Sequence, residues 1–172
     1  ITGHVLNMIK AVPVYSRAYG DKGENAGGFE RLYELVKEGE LIVIFPEGRS
    51  HAIPRLFPIK TGAARMALGS LARMGEAPQV IPVGITYTDQ EKFRRSALLQ
   101  FGQPIRIDGL PEGEDAQIAA LTERLQQHMS ELTVNAGSWE ELDFAMRLAS
   151  FFEMRRVKTS LHHRFTAMQT LL

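Results

Sequence analysis

Short apolar blocks dominate the first 110 residues, whereas apolar residues recur every three or four positions after that, so the pattern predicts strands mixed with helices first and helices alone afterwards. The most compact block is Leu41–Phe45, rich in β-branched residues and short enough for a buried strand. Pro46 cannot donate to a sheet ladder and should end that strand, leaving Glu47, Gly48, Arg49 and Ser50 just past its tip. In an α/β sheet, ligands bind at such strand ends.

The other elements follow the same logic. Ala11–Tyr15 reads as a strand ending at Ser16 and Arg17, with Pro13 confining it to an edge or a bulge. Gly20–Gly28 reads as a loop by its glycines. Phe29, Leu32, Leu35 and Val36 share a helical face, with Gly39 where a C-cap belongs. Thr61–Met74 is a run of helix formers, and Gln79–Tyr87 a buried strand interrupted by Pro82. Ala97–Phe101 and Pro104–Ile107 form either a hairpin or one bulged strand. Asp115–Val134 is predicted helical from Ile118, Leu121, Leu125, Met129 and Leu132. Ser138 and Glu141 are spaced as a capping box, opening a last helix with Leu142, Met146, Ala149 and Phe152 on one stripe. This order predicts an α/β fold: a largely parallel or mixed sheet flanked by helices in residues 1–135, with C-terminal helices of 136–172 appended to the same domain.

Composition narrows the function. Formal net charge is zero, so no global basic field argues for nucleic acid. The acids crowd between Asp108 and Asp143, where Arg124 is the single base; Arg155, Arg156, Lys158 and Arg164 follow. Solvated helix faces account for both clusters. There is no cysteine, which removes disulfides, thiolate nucleophiles and Cys-based metal sites, and no metal ligand set is expected. No apolar run reaches the roughly 20 residues of a membrane span. The chain begins at Ile1 within an apolar stretch and reads as a fragment.

Three blocks in series carry a resemblance: AVPVYSR at Ala11–Arg17, FPEGRS with the downstream LFPIKTGAARMAL within Phe45–Leu68, and VIPVGI at Val80–Ile85. In this order they resemble the second, third and fourth motifs of the glycerol-phosphate acyltransferase superfamily, which makes lysophosphatidic and phosphatidic acid. The resemblance implies transfer of a fatty acyl group from acyl-CoA or acyl-carrier protein, as co-substrate, to a hydroxyl of glycerol 3-phosphate, dihydroxyacetone phosphate or lysophosphatidate. No other cofactor is implied. Work at the cytoplasmic face of a membrane is implied too, peripherally or through an upstream anchor.

The physical reading of the residues agrees. A phosphate dianion entering a partly dehydrated pocket needs cations and donors. Arg17 and the Glu47–Ser50 turn would each lie past a strand end, and Lys60 precedes a helix whose N-terminal amides favour anions. The resemblance thus implies a substrate-binding set of Arg17, Glu47, Gly48, Arg49, Ser50 and Lys60, with Ile81 and Pro82 on a wall of the acyl pocket. Glu47 would repel a phosphate, so it either fixes an arginine by a bidentate pair, the preferred role, or accepts a glycerol hydroxyl.

Two departures limit the transfer. The usual third motif reads E-G-T-R-S, and here E-G-R-S-H puts Ser50 where the usual arginine stands and Arg49 one place early; a glycerol-3-phosphate and dihydroxyacetone-phosphate subgroup resembles this form. The first motif, His-x4-Asp, whose histidine acts as general base, is missing: residues five after His4, His51, His128, His162 and His163 are Ile9, Leu56, Thr133, Ala167 and Met168. No catalytic residue is expected in these 172 residues, and the fragment alone should be inactive.

Two other readings compete with the enzyme. Gly48–Ala52 approximates a hydrolase nucleophile elbow, but Pro54 and Pro58 forbid the helix that must follow. The chain could instead be a non-catalytic lipid- or phosphate-binding module. Trp139, Phe144, Phe151 and Phe152, followed by the basic cluster, could lie on an anionic membrane, although burial of that stripe explains them more simply.

Overall fold

A computed structural model describes residues 22–87, 93–94, 96–153 and 160–172. The Ala11–Arg17 block, and Arg17 with it, lies outside the described residues. The chain forms two compact units, one from residues 1–44 and 62–78 and the other from 45–61 and 79–172.

In the first unit, α1 (Lys22–Lys37) packs on α2 (Gly62–Met74). Leu32 and Leu35 are buried from α1, and Ala64, Ala67 and Ser70 from α2. Three-residue spacing of small side chains on α2 keeps that face narrow, and a Cβ at Gly69 would meet the Tyr33 hydroxyl. Arg73 lies 4.0 Å over the Tyr33 ring and pairs with Glu30, covering the seam. The C-terminus of α1 is closed by Gly39 at φ 80°, with Glu40 N–H donating to Leu35 and Gly39 N–H to Val36.

Two expectations are corrected here. Gly23, Gly27 and Gly28 lie inside α1 and not in a loop. Each glycine costs a helix about 1 kcal/mol, and packing of the Leu32 face outweighs that composition signal. The Leu41–Phe45 block is neither a strand nor buried: Leu41 is 87% exposed and Val43 72%. An apolar run becomes a strand only beside a partner that completes its ladder, and no described residue supplies one.

The second unit is built on β1 (Val83–Tyr87) and β2 (Ala97–Phe101), paired antiparallel with Val83 opposite Phe101 and Tyr87 opposite Ala97. The sheet of the described residues is thus small and antiparallel, not parallel. Further along, Val80 bridges Ile105, so the run to Ile105 carries one residue more than its partner, the bulged alternative. Gly102 N–H donates to the Pro82 carbonyl inside the bulge.

Helix α3 (Glu114–Glu131) buries Ile118, Leu121 and Leu125 and packs on β1. Ile105 and Ile107 complete that core. Half of the Ser138 capping box forms as read, since Ser138 Oγ accepts from Glu141 N–H; the return bond shifts by one residue, Glu141 accepting from the Gly137 N–H. It opens α4 (Trp139–Glu153), which packs on α5 (Leu161–Leu171) through Ala145, Phe165 and Met168. Gln169 donates to the Glu131 and Thr133 carbonyls, tying α5 to the end of α3. Trp139 and Phe144 remain substantially exposed. No described helix is long and apolar enough to cross a membrane.

A Cβ on Gly84 would sit 1.9 Å from the Leu132 carbonyl oxygen, a backbone atom with no rotamer to yield. Gly84→Ala is expected to destabilise by at least about 2 kcal/mol. Gly62→Ala, which meets nothing within 4 Å, should stay within about 0.5 kcal/mol of wild type. Chemical-denaturation midpoints of the two variants check this.

Candidate functional site

The loop after Pro46 is folded around one carboxylate. Glu47 Oε2 accepts from His51 Nε2–H at 2.6 Å and from the Phe57 amide at 2.9 Å. The other ring nitrogen of His51, Nδ1, faces the Ile53 amide at 3.3 Å and accepts from it. That arrangement requires the neutral imidazole with its proton on Nε2, because a protonated Nδ1 would point a donor at a donor. Both nitrogens are engaged, so His51 is not a free general base.

Phe57 is the second centre of the loop. The His51 ring meets it edge-on at 4.0 Å between centroids, and the Arg49 guanidinium lies 4.0 Å over its face. Glu47 and His51 are mostly buried, whereas Gly48, Arg49, Ser50 and Lys60 are exposed. Gly48 adopts φ 64°, a left-handed conformation natural to glycine, and closes a turn in which its N–H donates to the Phe45 carbonyl. Lys60 folds back so that Nζ lies 3.4 Å from the Gly48 carbonyl. The Lys60 amide donates to the Pro46 carbonyl, which joins the two ends of the loop.

The segment Leu56–Lys60 belongs to no helix or strand, yet each of its amide donors has a partner. Leu56 donates to Asn135 Oδ1, Phe57 to Glu47, Ile59 to Gln126 Oε1 and Lys60 to Pro46, while Pro58 has no N–H. The Ala136 amide adds a bond to the Pro54 carbonyl.

Of the residues expected from sequence, Glu47, Gly48, Arg49 and Lys60 therefore meet in one loop, and Ser50 stands exposed beside them. Among the described residues Glu47 pairs with His51, and no arginine is recorded against it. Ile81 is 47% exposed and Pro82 is buried, both between the Val80 bridge and β1. His51, Phe57, Gln126 and Asn135 escaped the sequence reading. The four-residue step from Glu47 to His51 was a legible sign of the first, but nothing local marks Gln126 or Asn135. Among the described residues no group of three metal-ligating side chains could hold a metal ion.

The sequence model of the family described as acyltransferase matches residues 1–86, half of the chain. The chain belongs to the acyltransferase family. Similar proteins are Glycerol-3-phosphate O-acyltransferase 2 of Saccharomyces cerevisiae, 30% identical over 83% of this chain and 20% of that protein, and its Glycerol-3-phosphate O-acyltransferase 1, 30% identical over 72% and 17%. A 1-acyl-sn-glycerol-3-phosphate acyltransferase of Bacillus subtilis is 33% identical over 76% of this chain and 61% of its own length. The chain thus spans about a fifth of the Saccharomyces proteins. No solved structure matches it. Within this acyltransferase chain, the Glu47–Lys60 loop lies inside the matched region, and Gln126 and Asn135 lie beyond it.

A Cβ on Gly48 would come within 2.9 Å of the end of the Lys60 side chain as well as demanding a left-handed backbone. Gly48→Ala should cost about 1–2 kcal/mol, and Gly48→Asn less, since asparagine tolerates that φ better. Urea-denaturation midpoints read both.

Proposed function

We propose that this chain carries the acceptor-binding part of an O-acyltransferase that moves a fatty acyl group from an acyl thioester to a hydroxyl of glycerol 3-phosphate or a related glycerol phosphate. The observation that carries the reading is the inward turn of Glu47. Its Oε2 is occupied by the His51 N–H and the Phe57 amide and held inside the loop, while the exposed side of the loop carries Lys60 and Arg49. A phosphate there gains two cations, with the Glu47 oxygen turned to its internal donors.

Family membership and the relatives' names support an acylation at glycerol phosphate. By the family pattern Arg17 is assigned to phosphate binding, and Ile81 and Pro82 to the acyl chain's path. Acyl-CoA or acyl-carrier protein is the donor, and the surface of a membrane is where the acylated product leaves. The His-x4-Asp dyad is not among the 172 residues. His51 does not replace it, since its second nitrogen is occupied by a backbone donor. The chain alone therefore binds the acceptor without acylating it.

Calorimetric titration of the chain with glycerol 3-phosphate should show saturable binding, weakened about tenfold or more in Lys60→Ala and largely kept in Lys60→Arg, as expected for a hydrogen bond to a charged group. Equal affinity in wild type and Lys60→Ala would refute the assignment. Thioester consumption by the protein expressed in its natural reading frame separates an enzyme from a binding module.

A further inference from the structure

Gln126 lies on α3, one residue after the buried Leu125, and Asn135 lies in the turn after that helix. Both reach the acceptor loop across more than 60 residues of sequence. Their bonds fall on alternate sides of Phe57, at Leu56 and Ile59, so they bracket the residue that shares Glu47 with His51. Ile59 also directly precedes Lys60, whose own amide is bonded to Pro46. The backbone that carries the lysine is thereby fixed on both sides of the Ile59–Lys60 peptide.

Asn135 is itself held. Its Nδ2 donates to the Ser130 carbonyl at 3.0 Å and to the Thr133 carbonyl and hydroxyl, both at 3.1 Å, and this inventory leaves Oδ1 as the atom aimed at Leu56, 2.8 Å away. The Thr133 hydroxyl donates onward to the Met129 carbonyl, so it is free to accept. Gln126 presents Oε1 from a helix anchored by Ile118, Leu121 and Leu125. Rigid elements thus aim two neutral amide oxygens at a loop whose amides have no ladder of their own.

We propose that Gln126 and Asn135 are positioning residues for the acceptor site: through the Ile59 and Leu56 amides they set the backbone that presents Lys60 to the phosphate. The inference rests on the acceptor-binding reading above and extends it to a segment outside the matched family region. Neutral amides suit the task, because a charged side chain there would add its own field to a site meant for an anion. Neither residue touches the ligand.

The test uses the full chain, amide hydrogen exchange at Ile59 and Leu56, and titration with glycerol 3-phosphate. Gln126→Met keeps the length of the side chain and removes the acceptor; Gln126→Glu keeps an acceptor oxygen. Asn135→Leu and Asn135→Asp form the second pair, should the methionine variant fail to fold. Expected in Gln126→Met is faster exchange at Ile59 and an acceptor affinity lower by about three- to tenfold, corresponding to one neutral hydrogen bond. The thermal midpoint should stay near that of wild type, and Gln126→Glu should restore the Ile59 protection. Unchanged exchange in both deletion variants overturns the proposal, as does faster exchange with unaltered affinity. Failure of the wild-type chain to bind glycerol 3-phosphate overturns the acceptor reading first, and the positioning role with it.

Discussion

A single carboxylate oxygen holds the Glu47–Lys60 loop in shape. Glu47 Oε2 receives the His51 ring proton and the Phe57 amide proton, and so draws residues 4 and 10 positions downstream onto the same point. With Phe57 fixed, Arg49 has a ring to lie on, and with the loop closed by the Lys60–Pro46 bond, Lys60 folds back over Gly48. Acid and base in this motif divide the work by direction: the acid faces inward as a structural acceptor and the bases face solvent.

On the proposed function, that division reconciles a glutamate with a phosphate in one motif. A carboxylate at the ligand would raise the cost of binding a dianion, whereas one satisfied by two internal donors contributes organisation. It also explains why a histidine can follow the motif's serine without acting as a base. Neutral, with Nε2–H given to Glu47 and Nδ1 taken by Ile53, His51 has no nitrogen left for a substrate hydroxyl. The 172 residues contain no His-x4-Asp pair.

Helices were legible where periodicity and caps coincide. Gly39 ends α1 and Ser138 opens α4 as their spacing implies, because caps are local chemistry. Strands were less legible. Leu41–Phe45 has the composition of a buried strand and none of the pairing among the described residues, since pairing depends on a distant segment that composition does not encode. The glycine-rich start of α1 failed in the opposite direction, with packing overriding a loop-like composition. At the site, the residues of the motif were readable as a set, but not their partners. The His51 partner of Glu47, seen among the described residues, was not read beforehand, and the long-range acceptors Gln126 and Asn135 carry no motif at all.

The claim that Glu47 organises the loop through a neutral His51 is open to direct observation of the imidazole. Long-range proton–nitrogen correlation NMR on nitrogen-15-labelled protein near neutral pH should show His51 with a protonated Nε2 and an unprotonated Nδ1. That pattern should be lost in Glu47→Ala, where the ring reverts to a mixture of tautomers. A protonated Nδ1 in the wild type, or a His51 spectrum indifferent to the loss of Glu47, would contradict the account.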